Sequence, residues 1–332
     1  MKLSVGIDIG GTNTAFGLVD ENGKIYAQGS VKTQTHERVE DYANEVFRQI
    51  MQAAAQIAEK PCDIVGVGIG APNGNYYNGC IENAANLRWK GKVEIAAMFK
   101  KLFGKPVFLT NDANAAAIGE MVYGAAKGMK NFIEITLGTG LGSGIVVNGQ
   151  LLYGHDGFAG EVGHIIVKPD GRDCGCGRKG CLETYVSATG VVRTATELLA
   201  TRNIDSELRR IPNSELTALM VSQAAGRGDA IACEVFERTG AVLGRALADV
   251  TTITSPEAFI IFGGLAKAGD ILLEPTRRHM EQNMLNMFKN KVKIIPSQLS
   301  DDAAILGASA LVWNELSDKN ENDNTNTELL NI

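Results

Sequence analysis

Apolar and polar positions alternate at the start of the chain. Val5, Ile7 and Ile9 lead into Gly10-Gly11-Thr12, Ala15 to Val19 runs to Asp20-Glu21-Asn22-Gly23, and a further run follows at 24–28. A period of two puts alternate side chains on one face, so these are strands joined by tight turns. The period then lengthens. Val39, Tyr42, Val46, Ile50, Ala54 and Ile57 recur at intervals of three and four, an apolar stripe that predicts a helix over 33–60. Residues 64–69 form a strand whose interleaved Gly66, Gly68 and Gly70 predict close packing against a helix. A loop at 71–74 and an irregular polar stretch at 83–91, carrying Asn86 and Trp89, precede a helix at 93–102 and a strand at 107–109. Asn111 and Asp112 stand where that strand gives way to an alanine-rich helix over 115–124. An Asp in that place often does no more than cap the helix.

Residues 132–153, FIEITLGTGLGSGIVVNGQLLY, repeat the pattern of residues 5–26, VGIDIGGTNTAFGLVDENGKIY. In each, an alternating strand meets a Gly/Thr turn, a second strand runs to Asn-Gly, and a third begins. Asn22-Gly23 and Asn148-Gly149 are strong hairpin signals, and a repeat on this scale points to two duplicated halves. Helices are expected at 184–200, 214–221 and 230–250, with a polar loop at 203–212. A buried strand at 258–262 ends at Gly263-Gly264, and 292–295 and 302–316 form the last strand and helix. Residues 317–332, dense in Asn, Asp, Glu and Thr, bury too little to order themselves and are expected to be disordered.

A chain of 332 residues with 45% hydrophobic content buries a large core and is expected to divide into two domains. Its net charge of -6 argues against nucleic acid as a partner. The first apolar run stops at Asp8 and Gly10, too short for a signal peptide, and no run approaches the ~20 apolar residues of a membrane span. The expected location is the cytoplasm.

The densest chemistry lies at 160–183, GEVGHIIVKPDGRDCGCGRKGCLE. Cys174, Cys176 and Cys181 stand as C-x-C-x4-C among glycines that let the backbone curl until three thiolates converge, and His164 can supply a fourth ligand. A Cys3His set is a closed, structural zinc site. One ring nitrogen of His164 can take the metal while the other is aimed elsewhere. Glu161 and Glu183 flank that point, and carboxylates beside an aimed imidazole suit a polyol. The plainer alternative is a zinc knuckle with solvated glutamates. Cys62, Cys80 and Cys233 have no matching spacing and are expected to be reduced core residues.

Three strand ends are glycine-rich: residues 8–12, residues 137–144 and Gly263-Gly264. Glycine there lets backbone N–H groups approach phosphate closely. No G-K-[ST] sequence occurs and no G-x-G-x-x-G follows the first strand, so neither a P-loop nor a dinucleotide fold is indicated. Two repeated turns and a third suggest a nucleotide gripped by two lobes.

With these motifs the chain resembles the sugar kinases of the ROK family (repressor, open reading frame, kinase) in the actin/hexokinase superfamily. The likeness spans residues 5–312. It rests on GLGSGI from Gly140, on Gly154, Gly160, Gly163 and His164, and on CGCGRKGCLE from Cys174 to Glu183. The resemblance implies an α/β fold of two ribonuclease-H-like lobes with mixed sheets around an ATP/sugar cleft. Residues 1–116 with helix 302–316 would form the small lobe and 117–301 the large one. It makes Asp112 the catalytic base and Asn86, Asn111, Asp112, Glu161, His164 and Glu183 the sugar contacts. It gives zinc to His164, Cys174, Cys176 and Cys181, and the phosphates to Gly10, Gly11, Thr12 and Asn13 with Gly138, Thr139 and Gly140. Asp8 would help place magnesium, and Gly263 and Gly264 would border the adenosine. The implied reaction is ATP-dependent phosphorylation of a hexose, glucose foremost, by a homodimer or higher homo-oligomer. Other hexoses and N-acetylhexosamines remain as alternatives, as do a sugar-responsive repressor and a chaperone-like or filament-forming ATPase.

Overall fold

The computed structural model describes residues 1–57, 62–299 and 302–329, with side chains as far as Ser317. Strand β1 (Lys2–Ile9) buries Leu3, Val5, Ile7 and Ile9 on one face and Ser4 on the other, as a central strand covered on both sides must. It pairs antiparallel with β2 (Asn13–Val19), which pairs antiparallel with β3 (Ile25–Lys32). Helix α1 occupies Val39–Ala55; the part of the expected helix at 33–38 is instead a 3-10 turn and an extended entry, and its expected end at 58–60 lies outside the described residues. Next come β4 (Asp63–Gly70), parallel to β1, and a small antiparallel sheet of β5 (Gly74–Asn75), β6 (Cys80–Glu82) and β7 (Lys92–Val93). Those strands are too short for a period of two to show in the sequence. After α2 (Ile95–Phe103), β8 (Val107–Thr110) completes a five-stranded sheet of order β3-β2-β1-β4-β8, and α3 (Asp112–Val122) follows. Tyr42, Val46 and Ile50 of α1 and Phe99 of α2 close the core over the odd-numbered face of β1.

The second sheet has the same plan. Strands β9 (Phe132–Leu137) and β10 (Leu141–Val147) form an antiparallel hairpin continued by β11 (Gln150–Leu151). The expected helix at 184–200 is broken at Ser187 into α4 (Glu183–Val186) and α5 (Ala188–Thr201), because Ser187 is extended and caps α5 by accepting from Gly190 N–H. Then come α6 (Ala218–Gly226), α7 (Ala230–Thr254), β12 (Ala258–Phe262), α8 (Asp270–Asn283) and β13 (Lys293–Pro296). The order β11-β10-β9-β12-β13, with β9, β12 and β13 parallel, matches the first sheet strand for strand. The sequence repeat is therefore a structural one, and the molecule is a pair of mixed-sheet α/β units.

The last helix, α9 (Ala303–Leu329), packs on the Ser4 face of the first sheet. A methyl group at Gly6 or Gly68 would overlap the backbone carbonyl of Ile305 or Ala308, so the glycines in these strands are the seat of α9. The helix continues past the expected end at 316 and takes in most of the stretch expected to be disordered. The two compact units are Met1–Gly128 with Leu151–Ala159 and the chain from Gln298, and Met129–Gln150 with Gly160–Ser297. The first thus takes in all of α3, which the expected boundary at 116 would have cut. Cys233 is exposed on α7 rather than in the core, Cys62 is half-buried and Cys80 is buried.

Candidate functional site

In the first unit the end of β1 presents Asp8, and the turn after it closes with Gly10 N–H donating to Asn13 O at 3.0 Å. Asp8 pairs in register with Gly70 on β4, and Gly70 pairs with Thr110 on β8. The ends of three adjacent strands therefore bring Asp8 and Asp112 near one another. Burial, and then the Asp112 charge, push the Asp8 carboxyl up to about 6. Asp112 is accessible to solvent at the start of α3, yet enough protein surrounds it that desolvation raises its carboxyl too, partly opposed by the backbone N–H of Ala113 at 2.9 Å. The cap of α3 is Asn111, whose Oδ1 accepts from Asn114 N–H at 2.6 Å. Asp112 is thus released from the capping role that its position suggested, and the Asn111 Nδ2 keeps its donors.

Asn86 is exposed on a loop anchored from below. Leu87 and Trp89 are buried, the Trp89 ring lies 4.6 Å from that of Tyr42, and Lys90 Nζ donates to the carbonyls of Ala84 and Ala85. Gly11 packs directly on this loop: a methyl there would stand 3.0 Å from Asn86 O.

In the second unit the turn between β9 and β10 is held from behind by the start of α5. Ala188 N–H donates to Gly138 O at 2.9 Å and Thr189 Oγ1 to Thr139 O at 3.0 Å. Glu183 Oε2 accepts from Leu141 N–H at 3.1 Å, so close to the turn that a methyl at Gly140 would overlap it. Gly263, at φ 99°, crosses the backbone of Leu137 where a side chain would clash, which sets Gly263-Gly264 beside the same turn. Ser143 bonds Gly160 O and accepts from Val162 N–H at 3.1 Å, fixing the backbone on either side of Glu161.

The imidazole of His164 faces two ways. Its Nδ1 lies 3.7 Å from Cys174 Sγ, and its Nε2 lies 3.9 Å from Glu161 Oε2. Cys176 and Cys181 Sγ are 3.7 Å apart, and the four candidate ligand atoms of His164, Cys174, Cys176 and Cys181 all lie within 4.8 Å of one another. Ligands at about 2.0–2.3 Å from a tetrahedral ion stand about 3.5–3.8 Å apart, so the cluster fits a metal with little adjustment. Without one, burial pushes the Cys174 thiol up to about 12, while the backbone N–H at Arg178 draws that of Cys176 down to about 6. A metal would hold all three as thiolates. Glu183 Oε1 is 3.5 Å from Cys174 Sγ, which joins the cluster to the β9–β10 turn through one side chain.

Two contributors escaped the sequence analysis. Arg172 lies over the Tyr185 ring at 4.6 Å and donates to Thr184 O, Gly190 O, Thr194 Oγ1 and Glu197, pinning the metal loop to α4 and α5. Nothing in its spacing marks it. Ser143 did have a signal, since it and Thr139 are the two hydroxyl side chains in the glycine-rich stretch at 137–144.

Each half of the molecule is thus a ribonuclease-H-like unit with a glycine turn after its first strand, which is the architecture of the actin/hexokinase superfamily. The chain belongs to the ROK family, whose match runs over residues 4–315. It is 36% identical over 312 residues to the glucokinase of Halalkalibacterium halodurans, covering 93% of this chain and 94% of that one. A ROK family glucokinase from Streptomyces griseus, solved in complex with glucose and AMPPNP, superposes with a TM-score of 0.76 at 35% identity over 93% of this chain and 98% of that one. A ROK family transcriptional regulator homologous to the E. coli MLC protein superposes with a TM-score of 0.83 at 25% identity, over 94% of this chain and 78% of that one.

Proposed function

We propose that the protein transfers the γ-phosphoryl group of ATP to a hexose, glucose foremost, giving glucose 6-phosphate. The observation that carries the reading is Asp112: an accessible carboxylate beside Asn111, which takes the N-cap of α3, and Asp8, in a chain that matches glucokinases over 93% of its length. Phosphoryl transfer proceeds through a loose transition state, so positioning and charge stabilisation dominate and little covalent work falls to the protein. Asp112 accepts the proton of the sugar hydroxyl as its oxygen bonds to phosphorus. Asn86, Asn111, Glu161, His164 and Glu183 hold the remaining hydroxyls. Backbone N–H groups of Gly10 to Asn13 and of Gly138 to Gly140 hold the phosphates, and Gly263 with Gly264 borders the adenosine.

The carboxylate of Asp8, raised by burial and by its neighbour Asp112, suits a divalent cation such as magnesium, which when bound neutralises phosphate charge. Zinc fits the His164, Cys174, Cys176 and Cys181 cluster by donor type and spacing. Four protein ligands leave no open position, so it orders the loop and leaves the chemistry alone. No helix among the described residues is long and apolar enough to cross a membrane, and we place the protein in the cytoplasm as a homodimer or higher homo-oligomer.

The likeness to a transcriptional regulator favours one second reading, a sugar sensor without kinase activity. A coupled assay over glucose, mannose, fructose, N-acetylglucosamine and N-acetylmannosamine separates the two. Glucose should give the highest kcat/KM, with mannose next because one inverted hydroxyl is harder to reject than an added acetyl group. A higher value for an acetylated sugar overturns the substrate, and no turnover with any of the five overturns the enzyme.

A further inference from the structure

One exposed side chain of the first unit ties together two loops that carry different parts of the proposed chemistry. Gln34 follows β3 in the 3-10 turn Thr33–Thr35 and is far in sequence from both. Its Nε2 donates one hydrogen to Gly11 O at 2.7 Å, in the phosphate turn, and the other to Asn86 O at 3.3 Å, in the sugar loop. The tie is reciprocal, since Arg88 of the sugar loop donates from Nη1 to Gln34 O at 3.3 Å and reaches Glu37 at 3.4 Å. Thr33 N–H donates to Thr12 O at 3.0 Å, and the Thr33 hydroxyl meets that of Thr14, which meets Tyr42 OH, whose ring packs on Trp89 at the base of the sugar loop. At the centre of this arrangement Gly11 and Asn86 are in close contact, and a methyl at 11 would press on Asn86 O at 3.0 Å.

A primary amide is the one uncharged side-chain group that offers two hydrogens from a single atom to two carbonyls. We propose that Gln34 is a positioning residue that makes the phosphate turn and the sugar loop move as one body, so that seating a hexose at Asn86 orders the turn that receives the nucleotide. This deepens the kinase reading and rests on it for the two ligands. Gln34 touches neither the reacting atoms nor the core, so its removal should change coupling without unfolding the protein.

The test is binding of a non-hydrolysable ATP analogue to the full-length protein, with and without saturating glucose, in wild type, Gln34→Ala and Gln34→Glu. Wild type should bind the analogue at least about fivefold more tightly with glucose, within the usual span of coupling between sites. Gln34→Ala should bring that ratio close to one at an unchanged melting temperature, with each ligand alone bound about three- to tenfold more weakly. Gln34→Glu keeps the size but sets a carboxylate against two carbonyl oxygens, and should be no better than the alanine. Amide exchange at Gly10 and Leu87, whose N–H groups bond within their own loops, should rise together in both variants. Where the wild type binds glucose, a coupling ratio of one in it, or a wild-type ratio retained in either variant, overturns the proposal. If the wild type binds no glucose, the substrate reading fails on its own and the exchange data decide: wild-type protection at both amides in Gln34→Ala sinks the tie.

Discussion

Asp112 is the base of the proposed reaction, and its surroundings say how it should respond to pH. Desolvation holds its proton to a higher pH than an ordinary aspartate, and Asp8 beside it titrates near 6. Only the deprotonated form accepts a proton, so kcat should climb as pH rises, with its lower limb displaced above the range of an ordinary aspartate. Asp112→Asn should lower kcat by about two to four orders of magnitude while leaving glucose binding largely intact, and should flatten that limb. The measurement is a pH–rate profile for both proteins. Near wild-type turnover in the variant would remove Asp112 from the mechanism and leave it only its bond from Ala113 N–H at the start of α3.

At the scale of the element, the loop from Gly160 to Glu183 has few apolar residues of its own and is held by polar ties: Arg172 on one side, Ser143 on another, the His164–cysteine cluster at its centre. Cys176 is exposed, whereas Cys181 and Leu182 are fully buried. Cys176→Ala should therefore lose zinc, loosen the loop and raise the KM for glucose about 10- to 100-fold, with a much smaller change for ATP. The fold should survive, since most of the core of the second unit comes from its strands and from α5 to α8, with only Val162 and Leu182 of the loop among its buried residues. Kinetics and metal content on the same purified protein check this. Zinc lost with the glucose KM unchanged would detach His164 from the sugar and leave the plainer knuckle standing.

The whole molecule is built from one plan used twice, with a last helix returning to the first copy. That helix lies so close to its sheet that a methyl at Gly68 would overlap the Ala308 carbonyl, which no rotamer change can relieve. Gly68→Ala should cost at least about 3 kcal/mol in denaturant unfolding. Gly226→Ala, where the added methyl meets only Ile271 Cδ1 at 3.8 Å, should be neutral or slightly stabilising. Equal stability of the two variants would refute the close seat. Much of this was legible in the sequence. Hydrophobic period, Asn-Gly turns and glycine-rich strand ends are local signals, so they located the repeated hairpins, the interleaved glycines under a helix and the Cys3His spacing. The helix at 33–60 was misjudged at its start because β3 and its 3-10 turn are fixed by sheet pairing and by Thr12, not by local period. Likewise Ser187 splits an apolar stripe that looks continuous, since its hydroxyl is engaged as a cap. The ties of Gln34, Arg172 and Ser143, and the handing of the α3 cap to Asn111 so that Asp112 is free, depend on which backbone groups are left unpaired once distant segments meet. Sequence fixes which donors and acceptors exist; only the tertiary structure decides which of them find each other.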